Sequence, residues 1–123
     1  MLALLFAACA SDPAAPCVCH ENFVRLDVEV TEATGDPAVG ATHKTVRTSD
    51  GLELRPSATL EERPGFYPLI DDSEHAAIDG PTMITFTATG ATGTATLEGI
   101  ASLDGCGCHV QFDGIRAVRL MDP

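Results

Sequence analysis

Apolar and polar residues alternate with a period of two through much of the chain after residue 22. Residues 24–31 alternate valine or leucine with charged and polar residues, and residues 84–89 alternate apolar residues with threonine. A period of two places the apolar side chains on one face of an extended strand. No segment carries a sustained helical period. The pattern therefore predicts an all-β domain built from half-buried strands.

Turn signals separate the alternating segments at intervals of about 8–12 residues. Among them are Gly35-Asp36-Pro37, Ser49-Asp50-Gly51, Pro64-Gly65, Gly90 to Gly93 and Asp113-Gly114, and we expect the last of these to be a hairpin. Residues 71–80 are acidic and polar, so we expect them to form a solvated loop. Seven or eight short strands with this spacing are typical of a β-sandwich or barrel.

The first nine residues differ from the rest of the chain. Met1 to Ala8 form an uncharged apolar run before Cys9, and this run is far shorter than the roughly 20 residues that a membrane-spanning helix needs. A short apolar run that ends in small residues is typical of a secretory signal peptide. The residues Phe6-Ala7-Ala8-Cys9 resemble the lipobox of bacterial lipoproteins, in which cleavage before the cysteine is coupled to diacylation of its sulfur.

This resemblance divides the chain into three segments. It implies a lipoprotein signal peptide over residues 1–8 and a lipid-attached cysteine with a spacer over residues 9–21, and the strand pattern then predicts a β-sandwich domain over residues 22–123. The protein is then expected in the bacterial cell envelope, held to a membrane by acyl chains such as palmitate on Cys9. Ala10 follows the cysteine, which in enterobacterial lipoproteins favours the outer membrane.

Three further segments carry a resemblance to carboxypeptidase-regulatory-like domains. The strand at residues 26–30 and the following residues 35–41 resemble the first strand and the "G-x-P-V-x-G-A" turn of that family. Pro64-Gly65-Phe66-Tyr67 resembles its turn into a middle strand. Cys108-His109-Val110 resembles a C-terminal segment of some secreted members.

One part of the second predicted strand departs from this family, because His43 and Thr45 stand where its members usually have valines. The resemblance spans roughly residues 22–120. It implies a seven-stranded Greek-key β-sandwich of the transthyretin or immunoglobulin type. Such domains mostly act as folding or interaction modules, although a fold alone does not define a function.

The four cysteines beyond Cys9 stand in two Cys-x-Cys-His motifs, at residues 17–20 and 106–109. A bridge within one motif would close a strained ring, so we expect Cys17 and Cys19 to form disulfides with Cys106 and Cys108, in either pairing. An oxidising compartment favours this state. The first bridge would close a loop of about 90 residues and contribute roughly 4–5 kcal/mol.

The alternative for these motifs is a metal centre. The four thiolates of Cys17, Cys19, Cys106 and Cys108, or a mixture of these with His20 and His109, could hold Zn²⁺ or Cu(I) in tetrahedral geometry. The single residue between the cysteines differs from the usual spacing of zinc fingers. The motifs therefore favour disulfides over a metal.

The charge of the chain argues against several partners. It has 18 acidic residues and 7 Lys or Arg, a formal net charge of −11. This charge repels phosphate backbones, so we expect no nucleic-acid partner. Electrostatic docking on anionic lipid is disfavoured for the same reason.

We also expect a non-catalytic protein without a cofactor. The histidines at 20, 43, 75 and 109 are scattered, and no Gly-x-Ser-x-Gly elbow accompanies them. A structural or interaction role in the envelope is the expectation, with residues 71–80 as the surface for an envelope protein partner. Replacing Asp71, Asp72 and Glu74 by alanine is then expected to leave folding intact.

Overall fold

The computed structural model describes residues 23–57 and 63–121. Cys9, the spacer and the first Cys-x-Cys-His motif, with Cys17, Cys19 and His20, lie outside the described residues. The predicted short strand near residue 60 also falls outside them.

Eight strands and one short helix make up the described part of the chain. They are β1 (Arg25–Thr31), β2 (Thr42–Arg47), β3 (Glu53–Leu54), β4 (Phe66–Asp71), a 3₁₀ helix (Asp72–Ala77), β5 (Thr82–Gly90), β6 (Gly93–Leu103), β7 (Val110–Asp113) and β8 (Ala117–Arg119). The prediction of an all-β chain is confirmed. The resemblance implied seven strands, whereas this part of the chain has eight, one of which contains two residues.

The strands form two sheets. The three-stranded sheet has the order β4-β1-β8, and β1 is antiparallel to β4 but parallel to β8. The five-stranded sheet has the order β3-β2-β5-β6-β7 and is antiparallel throughout. A two-sheet arrangement of this kind is compatible with a β-sandwich.

Both sheets contribute to one hydrophobic core. Val28 and Val30 of β1 are fully buried, and so are Ile84, Phe86 and Ala88 of β5. These are the apolar positions of the two alternating segments, so the period of two predicts their inward face correctly. Burial of such side chains typically contributes about 1.5–3 kcal/mol each, and it fixes the register of both strands.

The turn predicted at Ser49-Asp50-Gly51 joins β2 to β3. The Asp50 carboxylate accepts a hydrogen bond of 3.1 Å from the Leu52 amide and lies 2.5 Å from the Arg47 guanidinium. Hydrogen bonding from Arg47 lowers the pKa of Asp50 to about 2. The prediction of a tight turn is confirmed here, because a side chain of the turn itself holds its backbone.

The hairpin predicted at Asp113-Gly114 is wrong. Strands β7 and β8, which flank it, belong to different sheets. Gly114 has a φ of +152°, and the chain crosses there from the five-stranded to the three-stranded sheet. The Arg116 guanidinium then donates to the Asp27 carbonyl at 2.9 Å, and β8 pairs with β1 instead of turning back along β7.

The solvated loop predicted over residues 71–80 is also wrong in its first half. Asp71 is the last residue of β4 and is fully buried, and residues 72–77 form the 3₁₀ helix. The Asp71 carboxylate caps that helix by accepting hydrogen bonds from the Ser73 amide, at 2.9 Å, and from the Ser73 hydroxyl. Charged residues that satisfy backbone amides in this way need not face water.

Candidate functional site

Asp72 lies at the centre of a hydrogen-bonded group that we call the polar junction, formed by Asp72, His109 and the amides of Val24 and Val110. The Asp72 carboxylate accepts hydrogen bonds of 2.9 Å from each of the two amides. Nδ1 of His109 lies 2.6 Å from Oδ2 of Asp72. One side chain of the 3₁₀ helix thus connects the start of β1 to the start of β7.

The environment of Asp72 favours its ionised form. Partial burial alone would raise the pKa of this carboxyl, but the hydrogen bonds from His109, Val110 and Val24 outweigh burial and lower it. The charge of His109 acts in the same direction. Since the side chains of His109 and Asp72 are only 18 % and 9 % exposed, this contact is poorly screened by solvent.

The loop between β6 and β7 carries the second Cys-x-Cys-His motif and has its own internal hydrogen bonds. Asp104 accepts a bond of 2.8 Å from the Cys108 amide through its carboxylate and donates its own amide to the His109 carbonyl at 2.9 Å. The bond from Cys108 is the main reason that the pKa of Asp104 is lowered. This loop buries Cys108 and leaves Cys106 exposed.

Cys106 and Cys108 are both disulfide-bonded, so neither thiol titrates. No disulfide joins two residues of the described ranges. The predicted pairing with Cys17 and Cys19 falls on residues outside those ranges. Within them, no group of three or more His, Cys, Asp or Glu side chains is arranged to hold a metal ion.

The acids expected to form a partner surface instead lie at or near the polar junction. Glu74 is partly buried, and burial together with the charge of Asp71 raises its pKa. Its Oε1 atom has no hydrogen-bond partner among the described residues. The expectation that Asp71, Asp72 and Glu74 can be removed without affecting folding is therefore at odds with the structure, because Asp71 and Asp72 both hold backbone amides.

A second candidate site lies between β2 and β4, at the far end of β4 from the polar junction. We call it the cleft. It encloses about 450 Å³ and is lined by Val39, Gly40, His43, Arg63, Pro64, Gly65, Phe66, Tyr67 and Pro68. This volume falls within the range of small-molecule sites.

Aromatic rings and a guanidinium group form the walls of the cleft. The centroid of the His43 ring lies 5.0 Å from that of Tyr67, and the Arg63 guanidinium carbon lies 3.8 Å from the centroid of Phe66. The Tyr67 hydroxyl accepts a hydrogen bond of 3.0 Å from the Ala41 amide and donates one to the Ala38 carbonyl. Tyr67 thereby anchors the 38–41 turn at the rim of the cleft.

The sequence did not indicate the cleft as a site. Pro64-Gly65-Phe66-Tyr67 was notable only as a turn motif, and His43 only as a departure from the resembling family. These residues meet because β2 and β4 belong to different sheets that pack together. The one local signal was Arg63 three residues before Phe66, which allows the guanidinium to lie over that ring.

Comparisons with known proteins return no match, either to a family model, to a curated protein or to a solved structure. No helix within residues 23–57 and 63–121 is long and apolar enough to cross a membrane.

Proposed function

We propose that this chain is a lipid-anchored, non-catalytic module of the bacterial cell envelope with a structural or interaction role. The proposal includes acylation at Cys9 and a transthyretin-like Greek-key β-sandwich. It also includes two disulfides that join Cys17 and Cys19 to Cys106 and Cys108, in either pairing. The observation that carries the non-catalytic part is the polar junction. Its acid and imidazole, the most obvious chemical groups of the domain, are both engaged in holding the fold.

The hydrogen bonds of Asp72 are the basis for this inference. A general acid or base must reach a reacting atom in a concave site and exchange a proton with it. Asp72 instead accepts from two backbone amides and from His109. Moving it toward a substrate would leave the Val24 and Val110 amides unpaired, at a cost of about 1–3 kcal/mol each. This geometry supports a structural role for the acid.

Mass spectrometry of membrane-extracted protein tests the anchor. The mature chain should begin at Cys9 and carry a diacylglyceryl adduct on that sulfur. A Cys9→Ala variant should lose the adduct and move to the aqueous phase in detergent partition. An unmodified wild-type chain that begins at another residue would contradict the anchor and leave the proposed role of the domain unaffected.

A metal-binding role is the second candidate, and one observation favours it. Nδ1 of His109 is held by the Asp72 carboxylate, which is how proteins often orient a histidine that binds a metal through its other ring nitrogen. Three of Cys17, Cys19, His20, Cys106 and Cys108 would supply the remaining ligands of a tetrahedral site, with the cysteines reduced to thiolates.

Thiol titration with metal analysis separates the two candidates. Purified oxidised protein should show no free thiol among the four cysteines and no stoichiometric metal. Four titratable thiols together with one Zn²⁺ or copper ion per chain would replace the disulfide proposal by the metal site. The lipid adduct on Cys9 should be present in either case.

A further inference from the structure

We propose that the cleft between β2 and β4 binds small organic carboxylates, with Arg63 pairing with the carboxylate and the apolar walls holding the carbon skeleton. This inference goes beyond the envelope role and does not depend on the lipid anchor or on the state of the cysteines.

Charge is the first argument. Acidic residues outnumber Lys and Arg by 18 to 7 in the whole chain, yet no described residue that lines the cleft is acidic. The cleft contains Arg63 and the imidazole of His43 instead. It is a locally basic site on an acidic protein, and such a site selects an anion from among small molecules.

Arg63 is available for that anion. Arg25, Arg47 and Arg55 each pair with a carboxylate, on Asp27, Asp50 and Glu53 respectively. Arg63 pairs with no carboxylate of the described residues, and its guanidinium carbon lies over the Phe66 ring, 3.8 Å from the ring centroid. Stacking on a ring leaves the N–H groups at the edge of the guanidinium directed sideways, where they can donate in a fork to both oxygens of a carboxylate.

The walls of the cleft indicate the chemistry of the part of the ligand that does not contact Arg63. Val39, Pro64, Pro68 and the rings of Phe66 and Tyr67 offer mostly apolar surface, and the Tyr67 hydroxyl is already engaged with the 38–41 turn. The site therefore fits a molecule with one anionic end and an apolar body. A polyanion would leave its further charges without partners at these walls.

Binding can be measured with a matched pair of probes, N-acetyl-leucine and N-acetyl-leucinamide, which differ in the charge of one group. We expect titration of ¹⁵N-labelled protein at constant ionic strength to shift the amides of Gly40, His43, Gly65 and Phe66. The carboxylate should bind about tenfold more tightly than the amide, because a charge-assisted hydrogen bond is about twice as strong as a neutral one.

Two variants localise the effect. Arg63→Gln should weaken binding of the carboxylate about tenfold and leave binding of the amide unchanged. Arg55→Gln makes the same change in net charge at an exposed residue that does not line the cleft, and it should leave both affinities within about twofold. Inorganic phosphate should bind more weakly than N-acetyl-leucine because it lacks the apolar body.

Several outcomes would overturn the proposal. These are equal affinity for the acid and the amide, amide shifts confined to residues outside the cleft, equal losses in the two arginine variants, or no shift at 50-fold excess of the carboxylate. Tighter binding of phosphate would replace the carboxylate with a phosphate ligand. Glu61→Gln/Glu62→Gln removes two negative charges next to Arg63 in the sequence and should not weaken binding of the carboxylate, so a loss there would also contradict the assignment.

Discussion

The two ends of β4 carry polar groups in opposite situations. At Asp71 the strand ends next to the polar junction, and the carboxylates of Asp71 and Asp72 accept hydrogen bonds there from amides, a hydroxyl and an imidazole. At Phe66, about 17 Å away along the strand, Arg63 lies over a ring without a carboxylate partner among the described residues. A polar group that is satisfied internally stabilises a fold, whereas one left at the rim of a cleft remains available for a ligand.

The pairing of β4 with β1 holds both ends in place. Asp71 lies opposite Arg25, and Phe66 lies opposite Glu29. The Arg25 side chain is 5 % exposed and lies 2.7 Å from the Asp27 carboxylate, which is 18 % exposed, so the junction end also contains a partly buried ion pair. Removing one member of such a pair is strongly destabilising. The comparison therefore predicts large effects on stability at the junction end and smaller ones at the cleft end.

Asp72→Ala should have the largest effect, a loss of about 3 kcal/mol in the free energy of unfolding, because it leaves two backbone amides and His109 without their acceptor. Since the pKa of Asp72 is lowered in the folded state, its contribution is present above its ordinary value of 3.8 and is lost as the pH falls below it. Denaturant titration between pH 3 and 7 measures both. Asp79→Ala, at an exposed residue nearby, is the control and should change little.

Gly65→Ala should have the next largest effect on stability. It tests what holds the backbone in place at the cleft end of β4. Gly65 has a φ of +81°, and an added Cβ would lie 2.9 Å from Cβ of Pro37 and 3.1 Å from the Val30 carbonyl oxygen. We expect a loss of about 2 kcal/mol in thermal or denaturant unfolding. Gly80→Ala shares the positive φ but has nothing within 4 Å, so its loss should be about 1 kcal/mol. Equal losses would show that close contact at Gly65 contributes nothing.

Thr45→Val should stabilise the protein by about 1 kcal/mol. Thr45 is buried on β2, two residues from His43, and its Oγ1 has no hydrogen-bond partner among the described residues. Valine has nearly the same shape and removes the buried hydroxyl. Thr96→Val, at an exposed position on β6, should change the unfolding free energy by less than about 0.5 kcal/mol. Destabilisation by Thr45→Val would mean that this hydroxyl has a partner.

Glu74→Gln should produce the smallest change, and one visible only as a function of pH. The pKa of Glu74 is raised in the folded state, so its contribution to stability is present below its ordinary value of 4.5 and is lost as the pH rises. The variant should therefore be more stable than wild type at pH 7 and match it more closely near pH 4. Glu29→Gln, with an exposed side chain, should lack this pattern. A constant difference across the pH range would argue against a buried charge on Glu74.

The sequence predicts the parts of the fold that depend on local pattern. The alternation around Val28 and Phe86 gives two strands and their inward faces, and Asp50 marks a turn that its own carboxylate stabilises. Asp72 shows where this reasoning fails. Its partners, Val24 and Val110, are 48 and 38 residues away, so composition alone assigns it to a solvated acidic segment.

The cleft and the crossover at Gly114 were missed for a related reason. Arg63 and Phe66 are close in sequence, but His43 joins them only because β2 and β4 pack from different sheets. At Asp113-Gly114 the residue types are those of a hairpin. β8 nevertheless joins the other sheet, because it pairs with the edge of β1. Both features depend on pairing between distant strands, which a turn motif does not encode.

The parallel pairing of β1 with β8 has a consequence for how the chain folds. Glu29 pairs with Ala117, and almost the whole sequence of the domain lies between these two residues. Contacts between residues so far apart in sequence form late, because closing a long loop costs chain entropy. Until β8 arrives, β1 has one unpaired edge, which is a site for association with other chains. The three-stranded sheet is thus the last part of the molecule that a growing chain can complete.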